Sequence, residues 1–160
     1  MIGMEEEALL EYYKHEGIVL DKEIFIDMVE KMIKYPLIKK MMFNYFKSLG
    51  EIMARKLKEK GILGNDDPLV ETLELCRVSG YLDSYKILEQ KEDFASVRVD
   101  GAMFGETFRR KGIEKKKADE PLACYMEGVY QELTKRKVKV EEEACVAEGA
   151  PYCVFNFHIK

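Results

Sequence analysis

What the chain lacks narrows it first. It has no run approaching the roughly 18 apolar residues a membrane-spanning helix needs, and its opening MIGMEEEALLEYY carries acids where a secretory leader needs a basic segment. A cytoplasmic location is therefore expected, with no membrane role. Nor is there a surplus of cations: 26 Lys and Arg face 30 Asp and Glu, for a net charge of −4. Nucleic acid is not an expected partner, because phosphate binding draws on clustered excess Lys and Arg. The basic segments FRRKG (Phe108 to Gly112) and EKKK (Glu114 to Lys117) read as a solvated charged loop. No GxGxxG follows a strand, and no nucleophile elbow or open metal site marks an enzyme. Only two histidines, His15 and His158, are present, and no internal repeat or low-complexity tract.

The chain has 160 residues, 47% of them hydrophobic and 35% charged, which suits one compact domain with a real core. Residues 4–15 and 21–34 read as amphipathic helices separated by Gly17–Leu20 (GIVL), an edge or partner-seeking strand. After Pro36, residues Met42, Phe46, Leu49, Met53 and Leu57 recur at spacings of three and four, marking a helix that ends near Gly61. Asp67 before Pro68 is an N-cap and first-turn proline, followed by Leu69, Leu73 and Cys76 on one face. From Asp119 to about Thr134, Leu122, Tyr125, Met126, Val129 and Leu133 form another stripe. YLDSYKIL and FASVRV, then KVKVEE and YCVFNFHI, read as two hairpins. The expected fold is α+β, with a four-stranded antiparallel sheet packed against several helices.

The four cysteines sit in an expected reducing compartment, where metal ligands or buried thiols are more common than disulfides. Cys124, Glu142, Cys145 and Cys153 supply the four ligands that a closed, structural zinc site needs. Cys124 is rotated about 200° from the stripe of its helix, near an N-terminus whose dipole favours a thiolate. The loop VAEGAPY brings Cys145 and Cys153 together, and Glu142 joins them if the strand bends near Ala144. Glu141 or Glu143 fits in its stead, and Lys135, Arg136 or Lys137 is expected to offset the negative charge. The same residues also read as reduced thiols beside a solvated acidic run.

The segment PLACYMEGVYQELTKRKVKVEEEACVAEGAPYCVF closely resembles the carboxy-terminal half of the 4-vinyl-reductase-like domain, a hydrocarbon-binding family with a cysteine in a Gly-containing helix, then Glu-x-x-Cys, then Gly and Cys-x-Phe. FNYFKSLGEIMARKL resembles the family's first long helix, and VSGYLDSYKI its glycine-led strand. The resemblance implies an α+β module related to the sensor domains of aromatic-responsive regulators, to haem-based nitric-oxide sensors and to Golgi (TRAPP-type) tethering subunits. It implies a dimer holding a small hydrophobic or aromatic ligand, and a zinc site at Cys124, Glu142, Cys145 and Cys153. Residues 1–40 are then an N-terminal dimerisation segment and 41–160 the ligand-binding domain. The ATPase and DNA-binding segments of the sensors have no counterpart here, and Cys76 stands where the aromatic sensors place a ligand-contacting histidine. With only His15 and His158 to offer, a haem role is not expected.

The expected pocket lies between sheet and helices, lined by Cys76, Tyr81, Tyr85, Phe94, Phe104 and Tyr125, side chains that serve equally as core. The expected function is a zinc-containing sensor or binding module for a small hydrophobic molecule, without catalysis and with a possible protein partner for signalling. Two alternatives stand beside it: a component of a tetrapyrrole-type vinyl reductase, and a dimeric scaffold with a vestigial pocket.

Overall fold

A computed structural model describes residues 4–160, so Met1 to Gly3 of the expected dimerisation segment lie outside the described residues. Two amphipathic helices open the chain, α1 (Met4–Glu16) and α2 (Lys22–Ile33), and Asp21 caps α2 by accepting the Ile24 N–H at 2.9 Å. The GIVL segment between them is unpaired and exposed. Pro36 occupies the first turn of α3 (Pro36–Glu59), where its missing N–H costs nothing. This helix crosses position 40 without a break. Asp67 caps α4 (Pro68–Val78) through the Leu69 and Val70 N–H groups.

Four strands follow the expected pattern: β1 (Ser84–Gln90), β2 (Phe94–Asp100), β3 (Val138–Ala144) and β4 (Cys153–Ile159). They form one antiparallel sheet in the order β1-β2-β4-β3, so the two hairpins join through β2 and β4. Ala95, Val97, Val99, Phe155 and Phe157 are buried toward the helices, while Ser96, Arg98, Asn156 and His158 alternate to the other face. Helix α5 (Met103–Arg110) has no counterpart in the sequence reading. Its eight residues are too few to show a helical period, yet Met103, Phe104, Thr107 and Phe108 are buried. Two of the basic residues after it bind α2, with Lys111 at Asp27 and Lys115 reaching Glu30 at 3.2 Å, whereas Lys116 and Lys117 are exposed as expected of a solvated loop. Among the described residues no helix is long and apolar enough to cross a membrane.

The centre of the fold is the parallel pair α3 and α6 (Glu120–Thr134). Lys39–Glu120, Lys47–Glu127 and Arg55–Glu132 are ion pairs along it, at 3.1–3.5 Å. Backbones touch where a side chain is missing: a Cβ on Gly128 would lie 2.0 Å from the Lys47 carbonyl oxygen, and one on Gly50 would lie 2.3 Å from that of Tyr125. Gly128→Ala therefore has to push the helices apart and is expected to cost about 3 kcal/mol, lowering the melting temperature by roughly 6–12 °C. Gly61→Ala meets no atom within 4 Å and is the reference for a purely conformational cost of about 1 kcal/mol. Equal melting temperatures for the two variants would refute backbone contact at Gly128.

Candidate metal centre and apolar void

One ligand atom each from Asp119, Glu142, Cys145 and Cys153 lies within 4.8 Å of the others, and all four residues are buried. Three of these come from the C-terminal hairpin. The register of β3 against β4 shifts between Glu142 and Ala144, and this bulge is the bend that turns the Glu142 carboxylate inward. Cys145 and Cys153 flank the connection, where a 3₁₀ turn (Val146–Glu148) closes the loop and the Val146 N–H points at Cys153 Sγ, 3.5 Å away. Both sulfurs reach Asp119 Oδ2, at 3.8 and 3.7 Å.

Asp119 enters from the start of α6, and its role is set by a different helix. It precedes α6 in the N-cap position but makes no side-chain cap there. Its carboxylate accepts instead from the first turn of α5, from the Phe104 and Gly105 N–H groups at 3.0 Å each. The residue preceding α5 is Ala102, which has no capping group, so Asp119 satisfies those donors from a distance. Close approach needs glycine at 105, since a Cβ there would lie 2.4 Å from Asp119 Oδ2 and 3.0 Å from Cys145 Sγ.

The electrostatics are those of acids crowded together. Burial pushes Asp119 and Glu142 above the usual carboxylate range, each reinforced by its acidic neighbours. The hydrogen bond between the two cysteines holds Cys145 low and Cys153 high, as for two thiols sharing one proton. Glu142 Oε2 accepts the Asp119 N–H at 3.1 Å, but Oε1 is buried with no hydrogen-bond partner. An orphaned carboxylate oxygen is costly, and a cation among these four groups would remove the cost. The expected offsetting cations lie elsewhere: Lys135 pairs with Glu132 and Arg136 donates to the Glu92 carbonyl. Backbone N–H groups, including the N-terminal turn of α5, supply the local positive potential.

On the other side of α5, Phe46, Tyr81, Met103, Phe104, Leu122 and Tyr125 enclose a void of only about 10 Å³. Phe25 of α2 packs on Phe46 and Phe104, two of the lining rings, with ring centroids 6.2 and 6.4 Å away. The Tyr81 ring meets Tyr125 edge-on at 4.9 Å. The Tyr125 hydroxyl is buried and has no hydrogen-bond partner; the Ser79 hydroxyl nearby pairs with Tyr13 at 2.7 Å.

No protein-family model matches the chain, and no curated protein matches it. Solved structures do match. One is a vinyl-4-reductase family protein from Methanocaldococcus jannaschii, at 13% identity and TM-score 0.62 over 100% of this chain and 98% of that one. The fold is 4-vinyl-reductase-like. A trafficking protein particle complex subunit 3 from Naegleria fowleri, covalently bound to palmitic acid, matches at 12% identity and TM-score 0.60 over 87% and 95% of the two chains. The phenol-responsive sensory domain of the transcription activator PoxR, with phenol, matches at 14% identity and TM-score 0.57 over 96% of this chain and 72% of that one.

Within this 4-vinyl-reductase-like fold, Glu142, Cys145 and Cys153 meet as the sequence suggested, but Cys124 does not join them. Asp119 stands in its place. Five residues separate the two, which is roughly 140° around a helix and 7.5 Å along it, so both cannot face one ion. Cys124 is half-buried in a cleft with Lys47 and Lys139. Glu141 lies near His158, at 3.7 Å, and Glu143 accepts from Asn156 at 2.7 Å, so neither replaces Glu142. Of the expected pocket residues, Tyr81, Phe104 and Tyr125 line the void. Cys76 is fully buried in α4 but does not line it, and its thiol is pushed up by burial alone. Tyr85 sits beside Glu74. Phe94 packs against His158, with ring centroids 5.5 Å apart and the planes tilted by 55°, on the solvent face of the sheet, because strand alternation carries it opposite Ala95. The sequence signals that were missed are Asp119, two residues before a helix-starting proline, and Gly105.

Proposed function

We propose that this chain is a non-enzymatic binding or sensor module that takes up a small hydrophobic or aromatic molecule beside Tyr125 and acts as a homodimer. The observation that carries the proposal is the Tyr125 ring, which lines an apolar void while its hydroxyl is buried without a hydrogen-bond partner. Burial raises its pKa well above the usual phenol value, so it stays protonated and available to a hydroxyl or carbonyl group. The phenol-bound and palmitate-bound structures of the same fold support a ligand of this class.

The test is calorimetric titration of phenol and of toluene into the wild type and Tyr125→Phe. Phenol binding is expected to weaken about tenfold in the variant, the worth of one good hydrogen bond, with toluene unaffected. Removing the orphaned hydroxyl should leave the melting temperature unchanged or slightly raised. Absence of binding by either compound would end the proposal. That outcome would favour a dimeric scaffold with a vestigial pocket, a reading supported by the small size of the void, which holds no ring until its lining side chains move. A tetrapyrrole-type vinyl reductase has no comparable observation behind it.

Asp119, Glu142, Cys145 and Cys153 would hold the metal. Two thiolates favour zinc among the common divalent ions, and four protein ligands leave no position open for substrate. Bound there, zinc supplies a structural cross-link and a neutralising charge. The chain's own part is to present the ligands: the β3 bulge turns Glu142 in, the hairpin apposes the cysteines, and Asp119 ties the group to the first turn of α5.

A further inference from the structure

Where α3 and α6 separate, on the N-terminal side of their glycine contact, they leave a cleft of about 430 Å³ bounded also by β3. The volume lies within the range of small-molecule sites, roughly 300–1,000 Å³. Four lysines converge on it: Lys39, Lys40 and Lys47 from one face of α3, and Lys139 from β3. The buried Glu127 at its base is already engaged. It accepts Lys47 Nζ at 3.1 Å, Lys139 Nζ at 3.4 Å and the Val140 N–H at 3.1 Å. Lys39 reaches Glu120 at 3.5 Å and lies 5.2 Å over the Phe43 ring. Lys40 has no ion-pair partner among the described residues. The lysines thus outnumber the carboxylates by two, on a chain whose net charge is −4. Like charges held together in a concave site repel one another and focus a positive potential.

We propose that this cleft binds a small organic phosphate, its dianionic head among Lys40, Lys47 and Lys139 and its apolar body against Phe43. A phosphate monoester carries about −1.5 to −2 at neutral pH, which matches the excess. An inorganic anion would leave most of the cleft and the Phe43 ring uncovered. The site is separate from the metal centre and from the Tyr125 void, so it stands or falls independently of the function proposed above.

Cys124 reports on occupancy, because it lines the cleft and is the one cysteine not fully buried. The experiment is alkylation of Cys124 by iodoacetamide at pH 8.5 in 150 mM NaCl, followed by peptide mass spectrometry, with phenyl phosphate as the probe. Phenyl phosphate is expected to slow the reaction at least threefold with a midpoint below about 1 mM, a modest affinity of roughly 4 kcal/mol. Phenol at equal concentration should not slow it. Lys40→Glu should raise the midpoint about tenfold, and Lys139→Gln should act in the same direction. Lys40 is exposed and unpaired, so its reversal leaves the fold intact, checked by an unchanged melting temperature. Co-sedimentation with phosphatidic acid vesicles distinguishes a lipid head group from a soluble phosphate as the source of the same chemistry. Protection that is absent, equal with phenol or added NaCl, or undiminished in Lys40→Glu overturns the proposal.

Discussion

Stripping metal with a strong chelator is expected to lower the melting temperature by about 10 °C or more. If zinc saturates the centre at a thousand times its dissociation constant, its binding contributes about 4 kcal/mol, and each kcal/mol moves a domain of this size by roughly 2–4 °C. Cys153→Ser and Glu142→Gln should each reduce zinc to well below one per chain and reproduce most of the loss. Asp119→Asn should retain part of the cap on α5 while weakening metal binding, whereas Asp119→Ala should lose both. The pH dependence has a definite sign. In the metal-free protein, burial raises Asp119 and Glu142, so the folded state holds protons that the unfolded chain releases above about pH 4. The two carboxyls therefore lower metal-free stability as pH rises from about 4 toward 7, where Asp119 titrates, while the lowered Cys145 thiol acts in the opposite direction above about pH 6. Metal competes with those protons and binds more tightly as pH rises. The melting-temperature gap between loaded and stripped protein should widen from pH 5 to pH 8; a constant or narrowing gap would sink the assignment.

Met41→Glu combined with Ile52→Glu is expected to convert a dimer into a monomer. Fourteen large hydrophobic residues are exposed among the described residues, and twelve of them lie between Leu10 and Ile52. Leu37, Met41, Tyr45 and Ile52 form one stripe of α3, and Ile24, Met28 and Met32 form another on α2, with Ile18 and Val19 almost fully bare between α1 and α2. At roughly 100 Å² of exposed surface each, they offer on the order of 1,000 Å², comparable with the ~800 Å² per partner of a stable interface. A second copy brings the same patch and suits a two-fold contact. Met41 and Ile52 are eleven residues apart, three turns on one face, and both are more than half exposed, so charging them spares the monomer's core. Sedimentation velocity should show the dissociation constant rising about a hundredfold, equivalent to ~2.7 kcal/mol. A wild type that is monomeric at 100 µM, or a double variant that stays dimeric, would remove homodimerisation from the proposed function.

The elements that were legible are those whose pattern is local. Asp67 before Pro68 marked the start of α4, the stripe from Phe46 to Leu57 marked α3, and alternation marked four strands. Each rests on a helical or strand period and on capping chemistry that a few neighbouring residues decide. Glu142, Cys145 and Cys153 were legible for the same reason, lying within one hairpin whose closure is short-range. Asp119 and Cys124 show where this stops. Both sit near the same helix start, and sequence favoured the thiol because thiols are recognisable ligands. Which of the two faces the hairpin is decided by the rotation of α6, and that rotation follows from the Gly50 and Gly128 contacts with α3 and the demand of α5 for a cap.

By itself, then, the sequence determined the α+β class, the four strands, the principal helices and three of the four residues gathered at the candidate metal centre, because periodicity, capping and hairpin closure act over a few residues. Tertiary structure alone decided that Asp119 completes the group, that Phe94 faces solvent while Tyr125 is buried unpartnered, and that four lysines share one cleft. Those outcomes depend on how helices from distant parts of the chain pack and turn, which side-chain identity does not encode locally.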